Sequence, residues 1–179
     1  MKTPNWKNCS TEELWKYAAW HLAQESVDTI LVGGAVVSIY SEGAYQSGDL
    51  DFITSESDLK KIQQVLAKIG FEKKAKYFQH PKCSHLFIEF VAGPLGIGDD
   101  LKIQPALQKV EGKQIKILSP TDCIRDRLAS FIYFKARECL DQAVLVAKRH
   151  TFDVKKVKTW CSKEGALEQF KEFENLLKQ

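Results

Sequence analysis

Two aspartates, Asp49 and Asp51, stand one residue apart in Gly48-Asp49-Leu50-Asp51-Phe52-Ile53. In a β-strand, residues i and i+2 point to the same face, so both carboxylates project together, about 6.5–7 Å apart along the strand. Like charges so placed repel and raise each other's pKa. A cation between them removes that cost, and hard carboxylate oxygens suit Mg²⁺. A third acid, Glu89, lies in His85-Leu86-Phe87-Ile88-Glu89-Phe90. A carboxylate among such apolar neighbours is costly unless it is paired or binds metal. Upstream of the aspartates is Gly33-Gly34, at the end of an apolar run.

The elements that must hold these residues can be read from periodicity. Ser10 and Glu13 have capping-box spacing, and Leu14, Tyr17, Ala18, His21 and Leu22 recur at helical intervals. Residues 28–32 form a short apolar run ending at Gly33-Gly34, which reads as a buried strand. A short helix is expected over 35–40, a loop over 42–48 and a strand over 50–54. Ser57 is the expected cap of an amphipathic helix whose face is Leu59, Ile62, Val65, Leu66 and Ile69, ended by Gly70. Residues 71–78 and 84–91 are predicted as two strands joined through His80-Pro81-Lys82. A glycine-rich loop, 92–98, is expected near the site, and residues 114–118 are a further strand.

From Ser119-Pro120 onward the pattern is helical throughout, a capping serine followed by proline in the first turn. Helices are predicted over 120–134, 137–149, 153–162 and 165–177. The order implies an α/β (α+β) core over 1–118, a mixed sheet flanked by helices, with a helical C-terminal subdomain over 119–179.

Composition fits a globular chain. Of 179 residues, 44% are hydrophobic and 27% charged, enough for a real core. The net charge of +3 is too small for the whole-molecule field to mark a nucleic-acid binder. The runs Lys73-Lys74-Ala75-Lys76 and Lys155-Lys156-Val157-Lys158 read as solvated faces or as contacts to a nucleic acid or triphosphate. The five scattered cysteines include no CxxC pair, so no zinc knuckle or redox motif is present. The four histidines lack metal-ligand spacing, and the four tryptophans read as packing anchors. No apolar run approaches the ~20 residues of a membrane span, and a reduced, cytoplasmic protein is expected.

With Val32-Gly33-Gly34, Asp49-Leu50-Asp51 and Phe87-Ile88-Glu89-Phe90 in this order, the chain resembles the nucleotidyltransferase superfamily typified by DNA polymerase β. The segment Tyr45-Gln46-Ser47-Gly48-Asp49-Leu50-Asp51 is most similar to the small bacterial branch that includes the AbiEii-type toxins. Gln46 stands where members of that branch often carry arginine. The resemblance covers about residues 28–91 and implies a fold, an activity and a set of roles. Asp49 and Asp51 would bind Mg²⁺ or Mn²⁺, with Glu89 completing the site and favouring deprotonation of an acceptor hydroxyl. Gly33 and Gly34 would let the backbone approach the triphosphate of an NTP. Ser47 would donate to a phosphate oxygen. Arg127 or Lys135, from the helical part, would reach the triphosphate, with Asp141 holding one of these cations. The implied activity is transfer of a nucleoside monophosphate from the NTP to a hydroxyl on a tRNA, a protein or a small molecule. Two other readings share the fold: a nucleotide-binding module without turnover, and a toxin–antitoxin partner acting through protein contacts.

Overall fold

The computed structural model describes residues 1–179. Helix α1 (Thr11–Gln24) begins with the expected capping box: Glu13 N–H donates to Ser10 Oγ at 3.2 Å, and Ser10 N–H to Glu13 Oε2 at 2.8 Å. Strand β1 (Thr29–Val32) turns at Gly33 into α2 (Gly34–Tyr40), and β2 (Asp49–Thr54) follows after the loop. Helix α3 (Leu59–Lys68) is preceded by a 3-10 turn whose cap is Ser55, two residues before the expected Ser57. Strands β3 (Glu72–Lys74), β4 (Tyr77–Gln79), β5 (Phe87–Ala92), β6 (Ala106–Val110) and β7 (Lys113–Ile117) complete one seven-stranded sheet in the order β3-β4-β5-β2-β1-β7-β6.

Two strand expectations are corrected. Residues 71–78 are not one strand but a tight hairpin, β3–β4, broken at Ala75, which has a φ of +50°. A strand before β7 was not expected, yet β6 pairs antiparallel with it through Glu111 and Gly112, which both have positive φ. As an edge strand with alternate residues exposed, β6 carries few of the apolar residues that mark a buried one.

The central strands are amphipathic across the sheet. Leu31, Leu50, Phe52, Ile88, Ile115 and Ile117 are all buried, on one face. Their alternates Val32, Asp49, Asp51, Ile53, Glu89 and Lys116 are only half-covered. Parallel pairing of β2 with β5 and antiparallel pairing with β1 keep these faces aligned.

The last third is helical, as expected: α4 (Pro120–Phe134), α5 (Arg137–Ala147), α6 (Val154–Lys163) and α7 (Leu167–Leu177). Ser119 caps α4 by accepting from Asp122 N–H at 3.1 Å, and Asp153 caps α6 by accepting from Lys156 N–H at 2.9 Å. Leu128, Leu140, Ala143, Val146, Val157 and Phe170 join the same apolar cluster as the sheet residues. No helix is long and apolar enough to cross a membrane.

An ion network centred on the buried pair Arg125 and Asp122 ties the glycine-rich segment to the helices. Arg125, 1% exposed, donates to Asp122 Oδ1 at 2.7 Å and to Asp100 Oδ2 at 2.6 Å, and lies 5.4 Å from the centre of the Trp160 ring. Lys156 also reaches Asp122, and Trp160 Nε1 donates to the carbonyl of Ile97 at 3.1 Å. The segment expected near the acids is therefore docked on α4 and α6. Removing one member of a buried ionic group leaves the others uncompensated. Arg125→Ala is expected to cost about 3–5 kcal/mol of unfolding free energy. A loss below about 1 kcal/mol in urea titration, the range of an exposed pair, would contradict this assignment.

Candidate active site

The register of β2 builds the site. Asp51 is the Cα partner of Val32 on β1 and of Glu89 on β5, so the three residues lie in one row across the sheet. Asp49, two residues back, shares their face and pairs with Phe87. On the far side of β5, Tyr77 of β4 lies opposite Glu89, and its ring centre is 4.9 Å from that of Phe87. The structure thus brings Asp49, Asp51 and Glu89 onto one half-covered face. They make a row and not a cage: no group of three or more acid, histidine or cysteine side chains closes around a point.

Gly33 and Gly34 sit against this row. Gly33 leaves β1 with a φ of +74°, and a Cβ there would lie 2.8 Å from Asp51 Oδ2. Both facts demand glycine. A Cβ on Gly34 would lie 3.0 Å from Ser47 Oγ and 3.3 Å from the Tyr45 hydroxyl. Ser47 is buried, and its hydroxyl donates to Asp49 Oδ1 at 2.5 Å. Its proton is therefore engaged by a carboxylate in this structure, where the sequence suggested a phosphate oxygen.

Burial raises the Asp51 carboxyl, and the charges of Asp49 and Glu89 push it further, to about 6 from an ordinary 3.8. Arg127 is the cation that opposes this rise, with Asp126 adding to it. Arg127 therefore belongs to the electrostatics of the acid row. Its guanidinium is only 14% exposed and is held from two helices. Nε and Nη2 donate to Asp126 Oδ2 at 3.0 and 2.6 Å, and Nη1 donates to Gln142 Oε1 of α5 at 3.4 Å. Burial pulls the pKa of Arg127 down, but Asp126 outweighs it and the net shift is upward.

Lys135, unlike Arg127, is not among the charges acting on Asp51. It terminates α4 in the left-handed region, at a φ of +57°, and its ammonium donates to the carbonyl of Ile132 at 3.0 Å. It caps its own helix, as cations at helix C-termini do. Asp141 is exposed and holds neither cation; Asp126 performs that role for Arg127, while Arg137 pairs with Glu172. Asp126 and Gln142 are the positioning residues that sequence reasoning missed. Adjacent residues on a helix do not face each other, so Asp126 beside Arg127 gave no signal of a pair.

With this geometry in view, the chain can be set against known proteins. The sequence matches no protein-family model, and no curated protein matches it significantly. Solved structures do match. An antigenic nucleotidyltransferase-like protein from Paracoccidioides brasiliensis is 15% identical with a TM-score of 0.63, covering 96% of this chain and 94% of that one. The fold is that of the nucleotidyltransferases. The antibiotic-resistance factor ANT(2'')-Ia is 11% identical with a TM-score of 0.55, covering 90% of this chain and 96% of its own. The lincosamide antibiotic adenylyltransferase LnuA, with lincomycin bound, is 13% identical with a TM-score of 0.50, covering 80% of this chain and 100% of its own. At such identities the likeness is one of fold.

The raised Asp51 has a consequence for stability. Between 3.8 and about 6 the folded chain binds more protons at this carboxyl than the unfolded chain does. Its favourable contribution is therefore complete below the ordinary aspartate range and is lost as pH rises through about 6. Asp51→Asn should raise the metal-free Tm at pH 7 and flatten this part of the pH profile. An unchanged or lower Tm at pH 7, with the same pH slope, would show that Asp51 is not under this strain.

Proposed function

We propose that the protein is a divalent-metal-dependent nucleotidyltransferase, moving a nucleoside monophosphate from an NTP to an acceptor hydroxyl. The observation that carries this reading is the row Val32–Asp51–Glu89, with Gly33 pressed against the Asp51 carboxylate and Arg127 charged within its field. The nucleotidyltransferase fold supports it.

The donor set fits a hard divalent ion. Its atoms are all carboxylate oxygens, and the repulsion that lifts Asp51 is the kind a cation relieves. Asp49, Asp51 and Glu89 would hold Mg²⁺ or Mn²⁺, which when bound neutralises charge on the phosphoryl oxygens. The protein's own groups do the rest. Glu89 draws the proton from the acceptor hydroxyl. The hydroxyl oxygen forms a bond to the α-phosphorus as the bond to the β-phosphate oxygen breaks. Pyrophosphate leaves with the electron pair, and the proton passes to solvent. Gly33 and Gly34 leave the backbone free of side chains beside the triphosphate. Arg127, fixed by Asp126 and Gln142, stabilises the charge that develops on the phosphates. Ser47 orients Asp49.

The likeness of residues 45–51 to the AbiEii-type branch leaves the acceptor open among RNA, protein and small molecule. A nucleotide-binding module without turnover is the second reading, favoured by the open row of acids and by Gln46. Labelled NTPs with Mg²⁺ or Mn²⁺ and candidate acceptors separate the two. Asp49→Asn and Asp51→Asn are each expected to abolish transfer while leaving the circular dichroism spectrum unchanged. Arg127→Ala should lower kcat by about 10²–10³-fold, the scale of a lost charge-stabilising donor. Activity surviving both aspartate variants would mean that the site is elsewhere. Absence of metal-dependent NTP binding would sink both readings.

A further inference from the structure

The lysine run at the start of α6 divides between two environments. Lys158 turns to the Phe170 ring, 6.0 Å from its centre, whereas Lys155 and Lys156 line a cavity of about 620 Å³ between α6 and residues 99–102. Lys163, two turns further along α6, and Lys102, on the other wall, join them. Asp49, Asp51, Glu89 and Arg127 do not line it. Of its cations, Arg125 and Lys156 are engaged by Asp100 and Asp122, while Lys102, Lys155 and Lys163 take part in no ion pair. Arg125 also lines the cavity, and its Nε–H is a buried donor without a partner, where such donors ordinarily have one. Lys155 and Lys156 occupy the first turn of α6, which carries no acid, so they stand at the positive end of the helix dipole. An anion beside them offsets that arrangement. The far wall is fixed by its own bonds. Trp160 holds the carbonyl of Ile97, Arg125 holds Asp100, and Glu164 Oε1 accepts from Asp99 N–H at 3.3 Å. Gly98, with a φ of +58°, leaves room for that carboxylate: a Cβ there would lie 2.5 Å from Glu164 Oε1.

We propose that this cavity binds a small phosphorylated sugar. The phosphate meets the unpaired lysines, which bind phosphate as point charges. Asp99 and Glu164 line the cavity too; they repel a bare anion and accept instead from sugar hydroxyls. Glu164 already receives the Tyr133 hydroxyl, which leaves Asp99 as the principal acceptor. A continuous phosphodiester chain would bring its charge against both carboxylates. A nucleobase would find no open ring to stack on, since Trp160 is 4% exposed and its face lies against Arg125. A cavity of several hundred Å³ suits a small ligand. The site does not depend on transfer at the acid row.

The probe is ribose 5-phosphate, titrated calorimetrically into the full chain in EDTA. It is compared with ribose, with inorganic phosphate and with a single-stranded RNA oligonucleotide. Ribose 5-phosphate is expected to bind more tightly than inorganic phosphate, and ribose not at all. The double variant Lys155→Ala/Lys163→Ala, at two exposed positions, should weaken ribose 5-phosphate about tenfold with Tm unchanged, the scale of two lost exposed charge contacts. Asp99→Ala should weaken ribose 5-phosphate and tighten inorganic phosphate, opposite effects that a loss of folding would not produce. Arg127→Ala should leave the affinity unchanged, because Arg127 does not line the cavity. The proposal is overturned if ribose 5-phosphate does not bind at millimolar concentration, or if the lysine variant binds it as the unaltered chain does. It is overturned equally if inorganic phosphate binds as tightly, which would mark an anion site without sugar recognition. Loss of binding in Arg127→Ala would move the ligand to the acid row, and displacement of the sugar phosphate by RNA at equal phosphate concentration would make the lysines a nucleic-acid contact; either result also overturns it.

Discussion

The position of every chemical group in the site depends on the register of β2. Leu50 and Phe52 are wholly buried, as are Leu31 on β1 and Ile88 on β5. A slip of one residue would drive Asp49 and Asp51 into that layer and expel both apolar side chains. Burying a side chain of this size contributes about 1.5–3 kcal/mol, so four of them outweigh the repulsion among three half-exposed carboxylates. The hydrophobic face therefore sets the acid face. Asp51 is held beside Glu89 although the encounter raises the Asp51 carboxyl. The same register brings Gly33 against the carboxylate, because β1 ends at the partner of Asp51.

The opposite charge comes from a helix with two arginines and two different tasks. Arg125 and Arg127 are two residues apart on α4, so they cannot share a face. Arg125 turns to Asp100, Asp122 and Trp160 and fastens the loop between β5 and β6. Arg127 turns to Asp126 and Gln142 and lends its charge to the acid row. The helical part is thus fastened to the β5–β6 loop by an ion network through Arg125, while Arg127 takes no part in it. Gln142 makes α5 a partner of Arg127, since moving α5 would release one of the bonds holding the guanidinium.

What could be read from the sequence follows from where each signal resides. The acids, the glycines and the central strands were legible because their determinants are local: alternation of period two, a glycine pair at a strand end, one acid in an apolar run. The helices of the last third were legible for the same reason, through periodicity and the Ser119-Pro120 start. The β3–β4 hairpin and β6 were not, because edge strands are polar and short and their pairing is decided by neighbours. Lys135 and Arg127 looked alike in the sequence. They are distinguished by the left-handed turn that ends α4 and by the packing of α5, neither of which a helical pattern encodes. Ser47 donates to Asp49, a contact that no local pattern in the sequence announces.

In the proposed function the half-covered state of the acid face would itself matter. A carboxylate fully removed from water would keep its proton and lose its affinity for a cation, whereas a fully solvated one would not need the cation. Asp51 lies between these limits, with its carboxyl lifted to about 6 by burial and by its neighbours. Near neutral pH such a group is mostly ionised and still poorly compensated, the condition under which a divalent ion gains most by binding. Arg127 relieves part of that strain and Asp126 returns some of it. In the proposed function that balance would keep the row negative enough for a metal while leaving Arg127 charged for a phosphate. A stronger ion pair between Arg127 and Asp51 would quench both. By committing Arg127 to Asp126 and Gln142, the fold keeps the guanidinium within electrostatic range of the acids without pairing it to them.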